Sequence, residues 1–456
     1  MKLPLWRVAE LIESAGEFDD QAIAQGYSID SRTIRPGELF FAIKGERFDG
    51  HDFVEAALRS GAAGAVIRRD LLAKFPGKAG LLAVSDPLRA LQALAAAVRR
   101  MWGKTLIAVT GSAGKTTTKE IIAHLLSTRY QVLKSEGNLN NQYGLPLQLL
   151  KLEAHGRAVI EMGMNHAGEI TELANIAKPD IGVVTLVAPV HLEFFNSVAE
   201  IARAKYELVA SLPPHGTAIL NADDPYVSQF GRDFHGKVVL FGLKPTADLR
   251  AENIEEQGLQ GTKLELVACG ARVPTLVPLV GRHNVYNALA GAAVAIENGL
   301  TLADAAKAFA GLRPADKRGQ TLSLAGATVI NDCYNSNPKA LKSMVEALGT
   351  IPGKRRIVVA GEMLELGPTA GHLHQESGRH MAEQKIDVVI GVRGAAREIV
   401  EAARVAGVTA VQFMETPEQA GEWLAREVRP GDVVLLKASR GVKLEKALET
   451  WKAAVS

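Results

Sequence analysis

The sequence predicts an α/β fold of three domains: a central domain on a mainly parallel sheet, an N-terminal domain before it and a Rossmann-like domain after it. Three observations predict this. From residue 104 to about 313, short apolar β-branched runs alternate with helical patterns, as parallel sheets require. From about 314 to 456 the alternation starts afresh with TVIND, RRIVVAG, DVVIGV and DVVLLKAS. At 456 residues the chain has room for about two to four domains of roughly 100–200 residues each.

The balance of residues narrows the function. Hydrophobic residues make up 47% and charged residues 22%, an ordinary globular composition. A net charge of +2 gives no global field for nucleic acid or an anionic membrane, so any anion site must be local. Cys269 and Cys333 lack metal-ligand spacing and suit a reducing compartment. The N-terminal MKLPLWRVAELIESAG is broken by Arg7 and Glu10, unlike a signal peptide, and no apolar run approaches the length of a membrane span. The expectation is a cytoplasmic protein.

Residues 1–103 read as the first unit. Leu5 to Ser14 has helical spacing, with Leu5, Val8, Leu11 and Ile12 on one side. Pro36-Gly37 makes a turn before the strand LFFAI, and Gly45 and Gly50 punctuate a polar loop with Arg47, Asp49 and His51. Asp30, Ser31 and Arg32 put a carboxylate, a hydroxyl and a guanidinium side by side; they either cap their own turn or bind something. Met101-Trp102-Gly103 marks the seam.

The central unit, 104–313, opens on TLIAVTGSAGKTTTK, a buried strand, a glycine loop and a helix. Glycines let backbone N–H groups converge on an anion, and the helix N-terminus adds partial positive charge. Gly111, Ser112, Ala113, Gly114, Lys115, Thr116 and Thr117 form this cradle, with Lys115 in reach of β/γ-phosphates and the Thr116 hydroxyl suited to Mg²⁺. The bland alternative is a turn that merely joins strand to helix. The common loop has its first glycine where Val109 stands, so this is a tighter variant. Next comes an asparagine-rich loop with Asn138, Asn140 and Asn141, residues that also serve plain turns. RAVIE ends a strand on Glu161, where an oxygen ligand for Mg²⁺ belongs. The run IGVVTLVAPVHLEFF reads as another buried strand carrying His191, either a structural residue or part of the same site.

The helix SVAEIARAKYELVAS follows. Its stripe of Val198, Ile201, Ala202, Leu208 and Val209 has Lys205 in its middle. That amine either snorkels out along its stem or is a costly buried cation that needs an anion or a chemical change. Residues 246–280 turn to shorter strands, a β excursion. GRHNVYNALAGAAVAIENGL is a helix with Asn284 and Asn287 near its start, as caps or base-reading amides. The third unit, 314–456, has no G-x-G-x-x-G fingerprint, so dinucleotide binding is unsupported.

From the loop alone a phosphotransferase or a nucleotide-regulated binding protein stands beside a ligase. TGSAGKTTT, however, resembles the phosphate loop of the Mur ligases, ATP-dependent amide-forming enzymes of peptidoglycan synthesis. The resemblance continues through EMG at Glu161, the strand-end His191, ARAKYEL around Lys205, GRHNVYNALA and DCYNSNP from Asp332, collinear along the whole chain. Within the family, DSR…PGELFFAIKGERFDGHDF, GNLNNQYGLP and GEMLELG are similar to the branch that adds D-alanyl-D-alanine to UDP-N-acetylmuramoyl-tripeptide. The sibling that adds the third amino acid usually carries D-N-P-R in its last domain, and that tetrapeptide does not occur here.

The resemblance implies ATP and Mg²⁺ as cofactors, small-molecule substrates and a monomer. It implies that Asp30, Ser31 and Arg32 lie near the uridine, and that Asn138, Asn140, Asn141, Tyr334 and Asn335 serve the substrates. Lys115, His191 and Lys205 would be catalytic, and Thr116, Glu161, His191 and Lys205 would hold the metal, Lys205 as a carbamate. Asn287, Arg318 and Asp332 would border the nucleotide. The family's Gly-Arg is replaced here by Lys317-Arg318-Gly319.

Overall fold

The computed structural model describes every residue of the chain except Lys78, His191 and Ser456. Three main sheets follow one another along the chain, of four, nine and six strands, beside a small two-stranded ribbon.

In the first unit, Leu3–Pro4 pairs with Ile23–Ala24 as that ribbon. The helix Leu5–Leu11 is shorter than predicted. Glu13 takes a φ of 51°, and Ser14 N donates back to Ala9 O at 3.0 Å, so the chain turns before the helix reaches Ser14. Gly26–Ser28, Glu38–Phe41, Gly64–Arg68 and Leu81–Val84 form the parallel four-stranded sheet in chain order.

Helix Pro87–Trp102 starts at Asp86, which accepts from the Leu88 and Arg89 N–H groups, and stops at Gly103 with φ 63°. By connectivity it closes the first unit, yet its far end is clasped to the second. Arg99 donates to Ala177 O at 2.8 Å and to Asp180 Oδ2 at 2.9 Å, and Trp102 Nε1 to His155 O at 2.9 Å. A single apolar cluster runs through both units.

The nine-stranded sheet runs Val132–Lys134, Arg157–Glu161, Leu106–Thr110, Ile181–Val184, Thr217–Asn221, Lys237–Gly242 and Leu249–Glu256, all parallel. Thr262–Ala268 and Ala271–Val277 then add antiparallel strands at the far edge, so the β excursion extends the same sheet. Leu106–Thr110, buried throughout, lies inside the sheet beside the Glu161 strand.

The long strand predicted across residues 181–195 stops at Val184. Beyond it the backbone leaves the ladder for the glycine loop. Ala188 N donates to Ser112 Oγ at 3.0 Å, and Val187 N to Asp224 Oδ2 at 2.9 Å. These side-chain partners satisfy N–H groups that a continued strand would have paired with a neighbour.

The six-stranded sheet runs Gln320–Leu324, Ala327–Asn331, Val433–Lys437, Arg356–Gly361, Val388–Val392 and Ala410–Met414; only the first pair is antiparallel. The C-terminal strand thus inserts beside Ala327–Asn331, bringing residues 332 and 437 to one sheet edge. Apolar clusters cover both faces. Among the described residues no helix is long and apolar enough to cross a membrane.

Candidate active site

The glycine loop lies between strand Leu106–Thr110 and helix Lys115–Leu126. Gly111 and Gly114 have φ of 147° and 81°. A Cβ on Gly111 would fall 1.9 Å from Thr185 Oγ1, and one on Gly114 2.5 Å from Asn287 Oδ1, so side chains there are shut out twice over. Ser112 N donates to Leu186 O at 2.9 Å and Thr185 Oγ1 to Ala113 O at 2.6 Å, which pins the loop in shape. Lys115, half-buried at the helix start, donates to Gly111 O at 2.8 Å. Burial holds its ammonium below the usual lysine range, against the opposing pull of the Glu161 charge.

Glu161 ends its strand 4% exposed. Thr116 Oγ1 donates to its Oε2 at 2.8 Å and Asn140 Nδ2 to its Oε1 at 2.9 Å. The asparagine loop divides its labour. Asn140 holds Glu161, Asn141 Oδ1 accepts from Tyr143 N and Gly144 N at the start of helix Gly144–Leu149, and Asn138 lines the cleft.

Lys205 is 2% exposed on helix Val198–Ala210, and among the described residues no carboxylate pairs with it. Burial, then the nearby Lys115 charge, push its pKa well below the usual lysine value. A hydroxyl and a carboxylate within hydrogen-bond distance are hard oxygen donors that fit Mg²⁺. Among the described residues no group of three or more His, Cys, Asp or Glu forms, so the donor set is sparse. Lys205 is not among the residues that line the cleft around Thr116 and Glu161. His191 lies outside the described residues.

The third unit supplies the opposite wall. Arg318 Nη2 donates to Thr116 Oγ1 at 3.0 Å across the divide. Its guanidinium lies 4.2 Å from the Tyr334 ring, which Arg440 approaches to 5.5 Å. Asp332 accepts from Lys437 Nζ at 2.5 Å, and Lys437 also donates to Asn335 O at 3.1 Å. On the central side, burial pushes His283 down to about 4, against Asp332, so the ring is neutral near pH 7. Asn287 accepts from Thr118 Oγ1 at 3.2 Å and donates to Asn284 Oδ1 at 2.9 Å; Asn284 donates to Val280 O. Neither side chain caps helix His283–Glu297.

The walls enclose a cleft of about 730 Å³. It brings together Ser112 to Thr117, the three loop asparagines, Glu161, Asn287, Arg318, Asp332, Tyr334 and Asn335. Asp30, Ser31 and Arg32 do not line it. Arg32 instead grips Asp30 at 2.9 and 2.6 Å on the first unit, which holds the Asp30 carboxyl below its usual range. Sequence reasoning missed Thr185 and Lys437. For Lys437 the signal was available: DVVLLK ends a buried strand on a charged residue, as RAVIE does.

Comparison with known proteins decides the family. Residues 24–99 match the Mur ligase family catalytic domain, 109–295 the Mur ligase middle domain and 317–440 the Mur ligase glutamate ligase domain. A Bacillus subtilis UDP-N-acetylmuramoyl-tripeptide–D-alanyl-D-alanine ligase is 33% identical over 98% of both chains. This chain belongs to the Mur ligase family. Its fold superposes on a MurF crystal structure from Acinetobacter baumannii with a TM-score of 0.90, 29% identity and 99% coverage of each chain. A Thermotoga maritima MurF ligase in complex with ADP gives 0.83, at 30% identity over 95% of this chain and 98% of that one. In this chain the phosphate loop, Glu161 and the third-domain wall line one cleft.

Proposed function

We propose that this chain is an ATP-dependent ligase that joins D-alanyl-D-alanine to UDP-N-acetylmuramoyl-tripeptide, giving the pentapeptide precursor, ADP and phosphate. The observation that carries this is the full-length match to a ligase of that name, together with a cleft whose charged groups suit phosphoryl transfer. The reaction belongs to the cytoplasm, and the enzyme acts as a monomer.

A carboxylate is a poor electrophile because its leaving group would be oxide. An oxygen of the tripeptide carboxylate therefore attacks the γ-phosphorus of ATP and ADP departs, leaving an acyl phosphate. The dipeptide amine adds to the acyl carbon, loses a proton, and phosphate leaves from the tetrahedral intermediate. The protein's part is positioning and charge stabilisation.

The loop N–H groups from Ala113 to Thr116 cradle the phosphates, since that of Ser112 is held by Leu186 O, and Lys115 neutralises the transferring group. Thr116 and Glu161 would hold Mg²⁺, together with His191 and with Lys205 as its carbamate, and the ion would supply charge stabilisation to the phosphate oxygens. Asn287, Arg318 and Asp332 border the nucleotide, while Asn138, Asn140, Asn141, Tyr334 and Asn335 face the acyl and amine substrates. Asp30, Ser31 and Arg32 take the uridine end on the first unit.

The test is product analysis by mass from ATP, UDP-muramoyl-tripeptide and D-alanyl-D-alanine. ADP and free phosphate are expected in equal amounts, and only when both other substrates are present. A stable phosphorylated product, or brisk ATP hydrolysis with neither substrate, would overturn the reading.

A further inference from the structure

The phosphate-loop helix carries a second lysine to which the proposed reaction gives no task. Lys119 is 1% exposed, and a buried ammonium is costly unless its hydrogen bonds are met. Here they are met in a directed way. Lys119 Nζ donates to Ser135 O at 2.5 Å and pairs with Glu120 Oε1 at 3.0 Å. Glu120 is itself bound by Lys134.

Ser135, also 1% exposed, follows directly on the edge strand Val132–Lys134. Its backbone N donates to Val159 O at 3.0 Å, and its Oγ accepts the backbone N–H of Glu161 at 2.8 Å. A continuous chain therefore runs from the Lys119 ammonium through Ser135 to the main chain of Glu161. Its two ends sit on the two elements that supply the oxygen donors. Thr116 lies three residues before Lys119 on the same helix, and Glu161 is the last residue of its strand.

Holding the helix on the sheet does not require this chain, because Ile121, Ile122, Leu125 and Leu126 are buried there already. An apolar residue at 119 would add to that grip without burying a charge. What the lysine adds is reach to one carbonyl, that of the residue whose hydroxyl fixes Glu161.

We propose that Lys119 and Ser135 are positioning residues for the divalent-cation site, setting the spacing and aim of the Thr116 and Glu161 oxygens. The proposal rests on the reading of those two residues as cation ligands. Outer partners of metal ligands typically change affinity by about 10- to 100-fold when removed.

The experiment is Mn²⁺ binding to the full-length protein with ADP, followed by electron paramagnetic resonance, in the parent, Glu161→Gln, Ser135→Ala, Lys119→Met and Lys119→Arg. Glu161→Gln is expected to lose the site. Ser135→Ala and Lys119→Met should each weaken Mn²⁺ by about 10-fold or more, while ADP binding measured in a metal chelator stays at the parent value. Lys119→Arg, which keeps the charge and most of the reach, should recover part of the loss. Should Lys119→Met fail to fold, Ser135→Ala decides alone. Parental Mn²⁺ affinity in Ser135→Ala, with the site lost in Glu161→Gln, would overturn the positioning role and leave the ligand reading standing. Retention of Mn²⁺ by Glu161→Gln would overturn both.

Discussion

Lys205 shows how one residue can combine stability and chemistry. Its ammonium is buried on the stripe that seats helix Val198–Ala210, with the charge of Lys115 as its repulsive neighbour. Between its depressed pKa and the ordinary 10.5, the unfolded chain binds a proton that the folded chain does not, so stability from this group rises with pH across that window. Lys205→Met removes the charge and the slope. Melting followed from pH 6 to 10 should show a variant at least as stable as the parent at the acid end, with a flatter profile and nearly all turnover lost. A depressed pKa also enlarges the neutral fraction that CO₂ can attack. Parent activity is therefore expected to fall in CO₂-depleted buffer and to recover with bicarbonate, while Lys205→Arg stays inactive in both. An arginine variant that turns over like the parent would reduce Lys205 to a packed cation. Lys115→Ala should fold and bind the tripeptide but lose at least about 10²–10³ in rate. Normal turnover in single-turnover kinetics would mean the loop only shapes the sheet.

At the scale of elements, the helix Pro87–Trp102 joins the first two units more firmly than a linker would. The Arg99 guanidinium meets Ala177 O, Lys178 O and Asp180 at the end of helix Glu169–Ala177, where carbonyls would otherwise lack donors. Arg99→Ala is expected to cost about 2 kcal/mol, the scale of charged hydrogen bonds lost at a mostly buried site. Chemical denaturation reads this directly; an unchanged midpoint would show that water replaces the guanidinium without loss. Strand Ile181–Val184 shows the opposite case, a short element whose continuation is spent on Ser112 and Asp224.

At the scale of the whole molecule, the third unit reaches the phosphate loop through Arg318, aimed by the Tyr334 ring. Gly367 makes a second approach: a Cβ there would lie 3.0 Å from Leu192 O. Closure of the third unit over nucleotide is expected to be strengthened by ligand. Solution scattering should give a smaller radius of gyration with a non-hydrolysable ATP analogue, Mg²⁺ and tripeptide than without them. Arg318→Ala should reduce that change. An unchanged radius at saturation would argue against closure as part of the cycle.

The local signals sufficed for the α/β class, the glycine loop, the strand-end Glu161 and the stripe that buries Lys205, because each depends on neighbours within one element and its period. They did not determine where the strand after Ile181 stops, since Ser112 and Asp224, distant in sequence, claim its N–H groups. Nor did they show that Asn287 props Gly114 from behind, or that Asp332 faces Lys437 and Thr116 meets Arg318. Residues 332 and 437 become neighbours only because the last strand inserts into the middle of its sheet. A pattern along the chain records which face an element buries. Which side chains then meet, across separations of 105 and 202 residues, is decided by strand order and by how the domains close on one another.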